Sequence, residues 1–225
     1  MGWLKKDLAN KLNIPAVGFA THSRFDGKRY HNTPIGNLPG VTTILNETKH
    51  PSAKAALDRW RDNNQDESDR CLARGNELHS EIENYFNGVF EGEQKTIYSY
   101  KGLGGFLRGL KPLAIEYPFY SLKGYAGSPD CLAEDDRGLV LTDWKTSTKK
   151  KTPSQVADYF LQLSAYDQLI IENLDLMVDR AIVALAIEET KEMRFFELDR
   201  AELNVCYQSF LDRLETYASM NCVLF

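Results

Sequence analysis

The chain is poor in the features that would mark a membrane, secreted or thiolate-scaffold protein. No apolar run approaches the ~20 residues needed to cross a bilayer, so no membrane partner is expected. The opening MGWLKKDLANKLN lacks the long apolar stretch of a signal peptide, and its early aspartate argues against an organelle transit peptide. An intracellular protein is expected. The four cysteines, Cys71, Cys131, Cys206 and Cys222, contain no C-x-x-C pair. That spacing suits neither zinc nor an iron–sulfur cluster, and reduced thiols are the better reading. Excess positive charge is missing too. The formal net charge is −5, which disfavours a protein that coats duplex DNA unspecifically and leaves any nucleic-acid contact to a local basic cleft.

Internal repeats and low-complexity linkers are also absent, and 225 residues fit one domain. Hydrophobic residues at 43% and charged residues at 26% suffice for a globular core and exclude wholesale disorder. Residues 1–40 mix a short amphipathic helix with turn-rich sequence, and VTTIL is a short apolar run. HPSAKAALDRWRDN reads as a helix with Pro51 near its start and an Ala53, Ala56, Leu57, Trp60 stripe; core packing is the simpler reading of Trp60, and lining a strand channel by stacking, with Lys54 and Arg59, is the alternative. A longer helix follows in ESDRCLARGNELHSEIENYFNG, where Leu72, Gly75, Leu78, His79, Ile82 and Phe86 recur three or four apart. Gly75 costs such a helix roughly 1 kcal/mol relative to alanine, so close approach by a backbone or a ligand is expected there. The glycines of YKGLGGFLRGLK match neither a P-loop nor a dinucleotide fingerprint and mark a flexible connection or loosely packed helix. AIEYPFYSL, GYAGSPDCLAE, GLVLTDWKTS, RAIVALAIEE and MRFFELD read as strands. Helices QVADYFLQLSAYDQLIIENL and AELNVCYQSFLDRLETYASM intervene and close the series. The order predicts an α/β fold, a mixed central sheet flanked by helices.

Residues 123–147 read as an antiparallel hairpin with Asp135-Asp136-Arg137-Gly138 as its loop. Leu132 then faces Leu141, Asp130 faces Asp143, and Ser128 faces Lys145. Alternation puts Asp143 and Lys145 on the face of Leu139 and Leu141. Opposed β carbons lie about 4.5–5.5 Å apart, so two carboxylates there repel unless a cation sits between them. Oxygen ligands favour Mg²⁺ or Mn²⁺, and a lysine on the same face can polarise a water or stabilise a phosphorane-like transition state. A solvated, charged strand end fits the hairpin equally well.

Asp130, with Asp143-Trp144-Lys145, resembles the PD-(D/E)-x-K nuclease signature in its RecB-like form. Arg74-Gly75-Asn76-Glu77-Leu78-His79 resembles the R-G-x-x-x-H helix of the same proteins. Glu116 sits where they carry a strand glutamate, and Gln162 to Tyr166 matches their Q-x-x-x-Y helix. From about 70 to 215 the chain looks like the mitochondrial genome maintenance exonuclease family and its phage-type relatives. The four-cysteine iron–sulfur cluster of some RecB-like members is absent. The resemblance implies a restriction-endonuclease-like core over 67–215, an N-terminal extension over 1–66 and a C-terminal tail over 216–225, all in one domain.

It also implies roles. Asp130, Asp143 and Lys145 would be catalytic. Asp130, Asp143, His79 and the carbonyl of Trp144 would bind Mg²⁺ or Mn²⁺, the histidine tilting the preference to Mn²⁺. Glu116 would hold a second ion or a supporting place, and Ser128, Gln162, Tyr166 and Arg74 would brace the site or the substrate. Thr152-Pro153-Ser154-Gln155 reads independently as a capping box. The expected function is a metal-dependent exonuclease acting on single-stranded DNA with a free end, alongside replication or recombination proteins, in the cytoplasm of a host cell if the source is viral. The rivals are a flap or branched-DNA endonuclease and a catalytically silent DNA-binding nuclease fold.

Overall fold

The computed structural model describes residues 2–12, 23–25, 28–89 and 95–221; Cys222 and the Asp26-Gly27 pair lie outside them. Cys71, Cys131 and Cys206 are free thiols.

The central sheet is built outward from one hairpin. Strands β8 (Cys131–Asp135) and β9 (Gly138–Ser147) pair antiparallel with Leu132 facing Leu141 and Ala133 facing Val140. The register is the one read from the alternation, but the turn is tighter. Asp135 already pairs with Gly138, leaving Asp136 and Arg137 as the loop. Gly138 has φ 112, where a side chain is strained, and a Cβ there would also lie 2.2 Å from Asp179 Oδ2.

Beside β8 runs β5 (Lys111–Ile115), and beside β5 the two-residue β1 (Trp3–Leu4), both antiparallel to their neighbours. On the other side β10 (Arg180–Ile187) lies parallel to β9, and β11 (Glu192–Asp199) antiparallel to β10. The order is β1-β5-β8-β9-β10-β11. A parallel step needs a crossover, which α7 (Ala157–Leu174) supplies. Two smaller sheets stand apart: β2 (Ser23–Phe25), β3 (Lys28–Thr33) and β4 (Gly36–Pro39), and the pair β6 (Phe119–Ser121) and β7 (Tyr125–Gly127). The remaining helices are α1 (Lys6–Leu12), α2 (Val41–Glu47), α3 (Pro51–Asn63), α4 (Gln65–Asn87), α5 (Lys95–Ser99), α6 (Leu103–Gly109) and α8 (Arg200–Asn221). None is long and apolar enough to cross a membrane.

Period-two alternation gives the sheet two apolar faces. Leu132, Leu141, Val183 and Leu185 pack with Leu163, Leu169 and Ile170 of α7 and with Leu203 and Phe210 of α8. Cys131, Ala133, Val140, Trp144 and Ala184 pack on the opposite side with Leu78 and Ile82 of α4 and Leu103 and Leu107 of α6. The mixed sheet flanked by helices is the architecture expected from the element order.

Several local expectations are corrected. AIEYPFYSL is not one strand: it breaks at Glu116, whose φ of 48 leaves the extended region, and Pro118 has no N–H to donate. GYAGSPDCLAE likewise divides into β7 and β8. VTTIL begins α2, with Val41, Thr43, Ile44 and Leu45 buried. Residues 2–4 are no appendage, since β1 is a strand of the central sheet. Residues 216–221 continue α8 instead of forming a tail. Trp60 is 41% exposed, and α3 has no buried residue at all. Its apolar stripe exists, but among the described residues no other element buries it.

Candidate active site

The cleft forms where β8 and β9 part. Their ladder ends at Cys131–Thr142, so Asp130 and Asp143 do not continue it as a directly opposed pair. Asp130 curls over the strand instead. Its Oδ2 accepts from the Trp144 backbone N–H at 2.7 Å, and its carbonyl accepts from the Glu116 N–H at 3.2 Å. That second bond holds Glu116 beside Asp130 in its left-handed conformation, a strained state for a non-glycine residue and one that clusters at functional sites.

Helix α4 brings His79 to the same point. Its Nε2 donates to the Trp144 carbonyl at 2.8 Å, and Nδ1 faces Glu116 Oε1 at 3.5 Å and Asp130 Oδ2 at 3.7 Å. Ligand atoms of His79, Glu116 and Asp130 all lie within 4.8 Å of one another. The set suits a divalent cation. One imidazole has its far nitrogen anchored to a backbone carbonyl, as metal-binding histidines do, and two carboxylates supply oxygen. Burial draws the His79 pKa down, but the charge of Asp130 and the hydrogen bond to Glu116 outweigh it and raise it to about 9. Burial pushes the Asp130 carboxyl up, His79 opposes, and Glu116 adds to the rise. A buried acid made reluctant to ionise by a second acid marks a site short of positive charge.

Asp143 and Lys145 form the other half. Both emerge on the α7 side of β9, as the alternation requires. Asp143 is fully buried; its Oδ2 lies 2.5 Å from Lys145 Nζ and its Oδ1 accepts from Gln162 Nε2 at 2.9 Å. Gln162 also donates to Tyr166 Oη at 3.2 Å. Burial raises the Asp143 pKa to about 6 against the pull of Lys145. For Lys145, burial disfavours the ammonium, yet Asp143 and Asp130 prevail and its pKa rises. The lysine is therefore an ammonium held by a carboxylate, with Tyr159 presenting its ring 5.4 Å from Nζ.

These residues open onto a cleft of about 560 Å³, lined by His79, Glu116, Ser128, Asp130, Lys145, Gln162 and Tyr166 among others. Of the residues singled out in the sequence, Asp143 pairs with Lys145 and is not among the three whose ligand atoms lie within 4.8 Å of one another, and the Trp144 carbonyl is engaged by His79. Arg74 turns out of the cleft to pair with Glu188 and reach Thr148 Oγ1 at 3.4 Å. Gly75 lines the cleft, and a Cβ on it would meet Thr146 Oγ1 at an ordinary 3.7 Å. Packing alone does not demand this glycine. Gly127 is different: a Cβ there would lie 2.4 Å from Tyr166 Cε1. The reading of the sequence missed Arg29 and His31 of β3, which also line the cleft. Their i, i+2 spacing in RYHN is the strand signal that places both on one face.

Fold and site together support a nuclease of the PD-(D/E)-x-K type, the class that the sequence resembles. Among curated proteins the chain is similar to mitochondrial genome maintenance exonuclease 1 of Xenopus tropicalis, 24% identical over 241 aligned positions that cover 96% of this chain and 68% of that protein. It is likewise similar to mitochondrial genome maintenance exonuclease 1 of Mus musculus, 24% identical over 200 positions that cover 80% of this chain and 59% of that one. These relatives support a nuclease function. A crystal structure of an inferred exonuclease from Eubacterium rectale overlaps 66% of this chain and 67% of its own at a TM-score of 0.41 and 13% identity, too loosely to bear on the assignment. No family model matches the chain.

Proposed function

We propose that this chain is an exonuclease that hydrolyses phosphodiester bonds of single-stranded DNA from a free end, with Mg²⁺ or Mn²⁺ at His79, Glu116 and Asp130. The observation that carries the reading is the pairing, in one cleft, of that N,O,O group with a buried Asp143–Lys145 ion pair. A divalent ion held there would supply Lewis-acid charge beside the scissile phosphate. The imidazole favours Mn²⁺ within the pair.

The chain's own residues do the rest. Hydrolysis joins a water oxygen to phosphorus and releases one ester oxygen, and negative charge gathers on the phosphoryl oxygens in the transition state. The Lys145 ammonium donates to that charge, in the manner of preorganised electrostatic catalysis. Asp143 keeps Lys145 protonated and aimed, and Gln162 and Tyr166 hold Asp143. Asp130 and Glu116 present carboxylate oxygens, and His79 a ring nitrogen, to the cation. The single-stranded preference draws support from the cleft lining, to which α2, β3 and α4 contribute and which a stacked single strand can follow. The N-terminal segment is thus assigned to substrate enclosure within one nuclease domain.

The test compares a linear single strand, the same strand circularised, and a blunt duplex, each with Mg²⁺ or Mn²⁺. The linear strand alone should be degraded at an appreciable rate. Circular DNA cut as fast as linear DNA overturns the exonuclease reading in favour of an endonuclease.

A further inference from the structure

A second groove, of about 490 Å³, lies along α4 beside Glu67, Cys71 and Arg74. Trp60 of α3 forms one wall, and Thr148, Lys149 and Lys151 beyond the end of β9 form the other. The two hollows adjoin, since Cys71 of α4 lines both and β9 passes from Lys145 in the first to Thr146 in the second.

We propose that this groove is a nucleotide-binding subsite for the single strand, in which Trp60 stacks on a base and Lys149 and Lys151 receive the backbone phosphates. The proposal rests on the nuclease reading above and extends it to the path of the strand. Three observations carry it. Trp60 is 41% exposed on a helix with no buried residue, so its indole is not spent on the core; every base offers a π-face to such a ring. Lys149 is exposed and has no acidic partner among the described residues. Lys151 donates to Tyr159 Oη at 3.0 Å, a neutral partner that leaves its charge unpaired. Glu67, the one acid among the lining residues, is engaged by Arg70 at 2.9 Å, and Glu188 beside the groove by Arg74 and Arg70. The groove is therefore cationic locally in a chain whose net charge is negative. Its volume suits a nucleotide, within the ~300–1,000 Å³ of ordinary ligand clefts.

Tyr159 links this groove to the catalytic cleft. Lys151 Nζ stands 5.0 Å from the centre of its ring and Lys145 Nζ 5.4 Å from the same centre. A strand lying in both hollows passes one continuous line of cations.

The test measures binding of a fluorescent oligothymidylate by anisotropy with Ca²⁺ replacing the catalytic ion, on wild type, Trp60→Ala and Trp60→Phe. Trp60→Ala should weaken binding about 5- to 150-fold, the range spanned by loss of one base–aromatic stack, and Trp60→Phe should restore most of it. A strand carrying abasic positions should bind wild type as weakly as Trp60→Ala binds the intact strand, with no further loss when the two changes are combined. Wild-type affinity in Trp60→Ala, or equal losses for alanine and phenylalanine, overturns the subsite while leaving the nuclease reading in place. Failure of wild type to bind the oligothymidylate overturns both.

Discussion

His79 Nε2 stands 2.8 Å from the carbonyl oxygen of Trp144. That contact decides which ring nitrogen faces Glu116 and Asp130, because a nitrogen donating its proton to a carbonyl cannot also offer a lone pair.

Metal binding should therefore release a proton. In the metal-free protein the His79 pKa is about 9, so at pH 7 the ring is charged and Nδ1 must give up its proton before it can bind a cation. Affinity should climb about tenfold per pH unit below that value and level off above it. Titration calorimetry in buffers of different ionisation enthalpy should find about one proton released through His79 at pH 7. His79→Ala should lose that proton along with most of the affinity. A pH-independent affinity between 6 and 8 rules out His79 as a ligand.

Asp143→Asn and Asp130→Asn should separate two roles. If Asp143 serves Lys145, its amide variant keeps the thermal stabilisation given by millimolar Mn²⁺ while turnover drops by about 10²–10³, the cost of losing one preorganised electrostatic element. Asp130→Asn should lose both. Calorimetric melting with and without Mn²⁺ reads the difference, and loss of the Mn²⁺ shift in both variants makes Asp143 a direct ligand.

Lys145→Met should cut the cleavage rate by orders of magnitude with little change in DNA affinity, since its proposed work is in the transition state. It should also strand the Asp143 charge in the core, costing about 3–5 kcal/mol near neutral pH. Burial already raises the Asp143 pKa above the range of an unfolded chain, and removing the cation raises it further. The penalty on the ionised form is thus greatest at high pH and fades as falling pH protonates the carboxyl. Urea unfolding at pH 5 and pH 8 should show the variant recovering toward wild type at the lower pH. A deficit independent of pH rules this explanation out.

Gly127→Ala should weaken the site from behind. The added methyl meets Tyr166 Cε1 at 2.4 Å, and the ring cannot retreat without loosening Gln162 and, through it, Asp143. A loss of about 1–3 kcal/mol is expected from overpacking, together with reduced turnover and unchanged Mn²⁺ affinity. An alanine variant as active and stable as wild type shows that Tyr166 is free to move.

The hairpin was legible because alternation in two adjacent runs fixes which residues face each other, and Leu132 opposite Leu141 follows directly. What the alternation cannot show is where a ladder stops. Asp130 leaves its register to accept from the Trp144 N–H, so the two aspartates that looked opposed occupy different places. Glu116 was legible as a strand residue by resemblance, but its left-handed φ depends on the Asp130 carbonyl, far along the chain. The stripe on α3 correctly announced a helix, but the core reading favoured for Trp60 failed because periodicity describes a face without saying what covers it. β1 was missed for a related reason: two residues carry no period, and only pairing with β5 makes Trp3 and Leu4 a strand.

That pairing bears on how the protein can be handled. Gly2 packs against the peptide of Glu116 so tightly that a Cβ would lie 1.9 Å from the Glu116 oxygen, and Trp3 and Leu4 bond along β5 to Ile115 and Ala114. A proteolytic nick or a bulky fusion at this end would be felt at Glu116, although residues 2–4 touch neither the cation nor the strand in the reading above. An inactive preparation should be checked for an intact front end before any loss is charged to the catalytic residues.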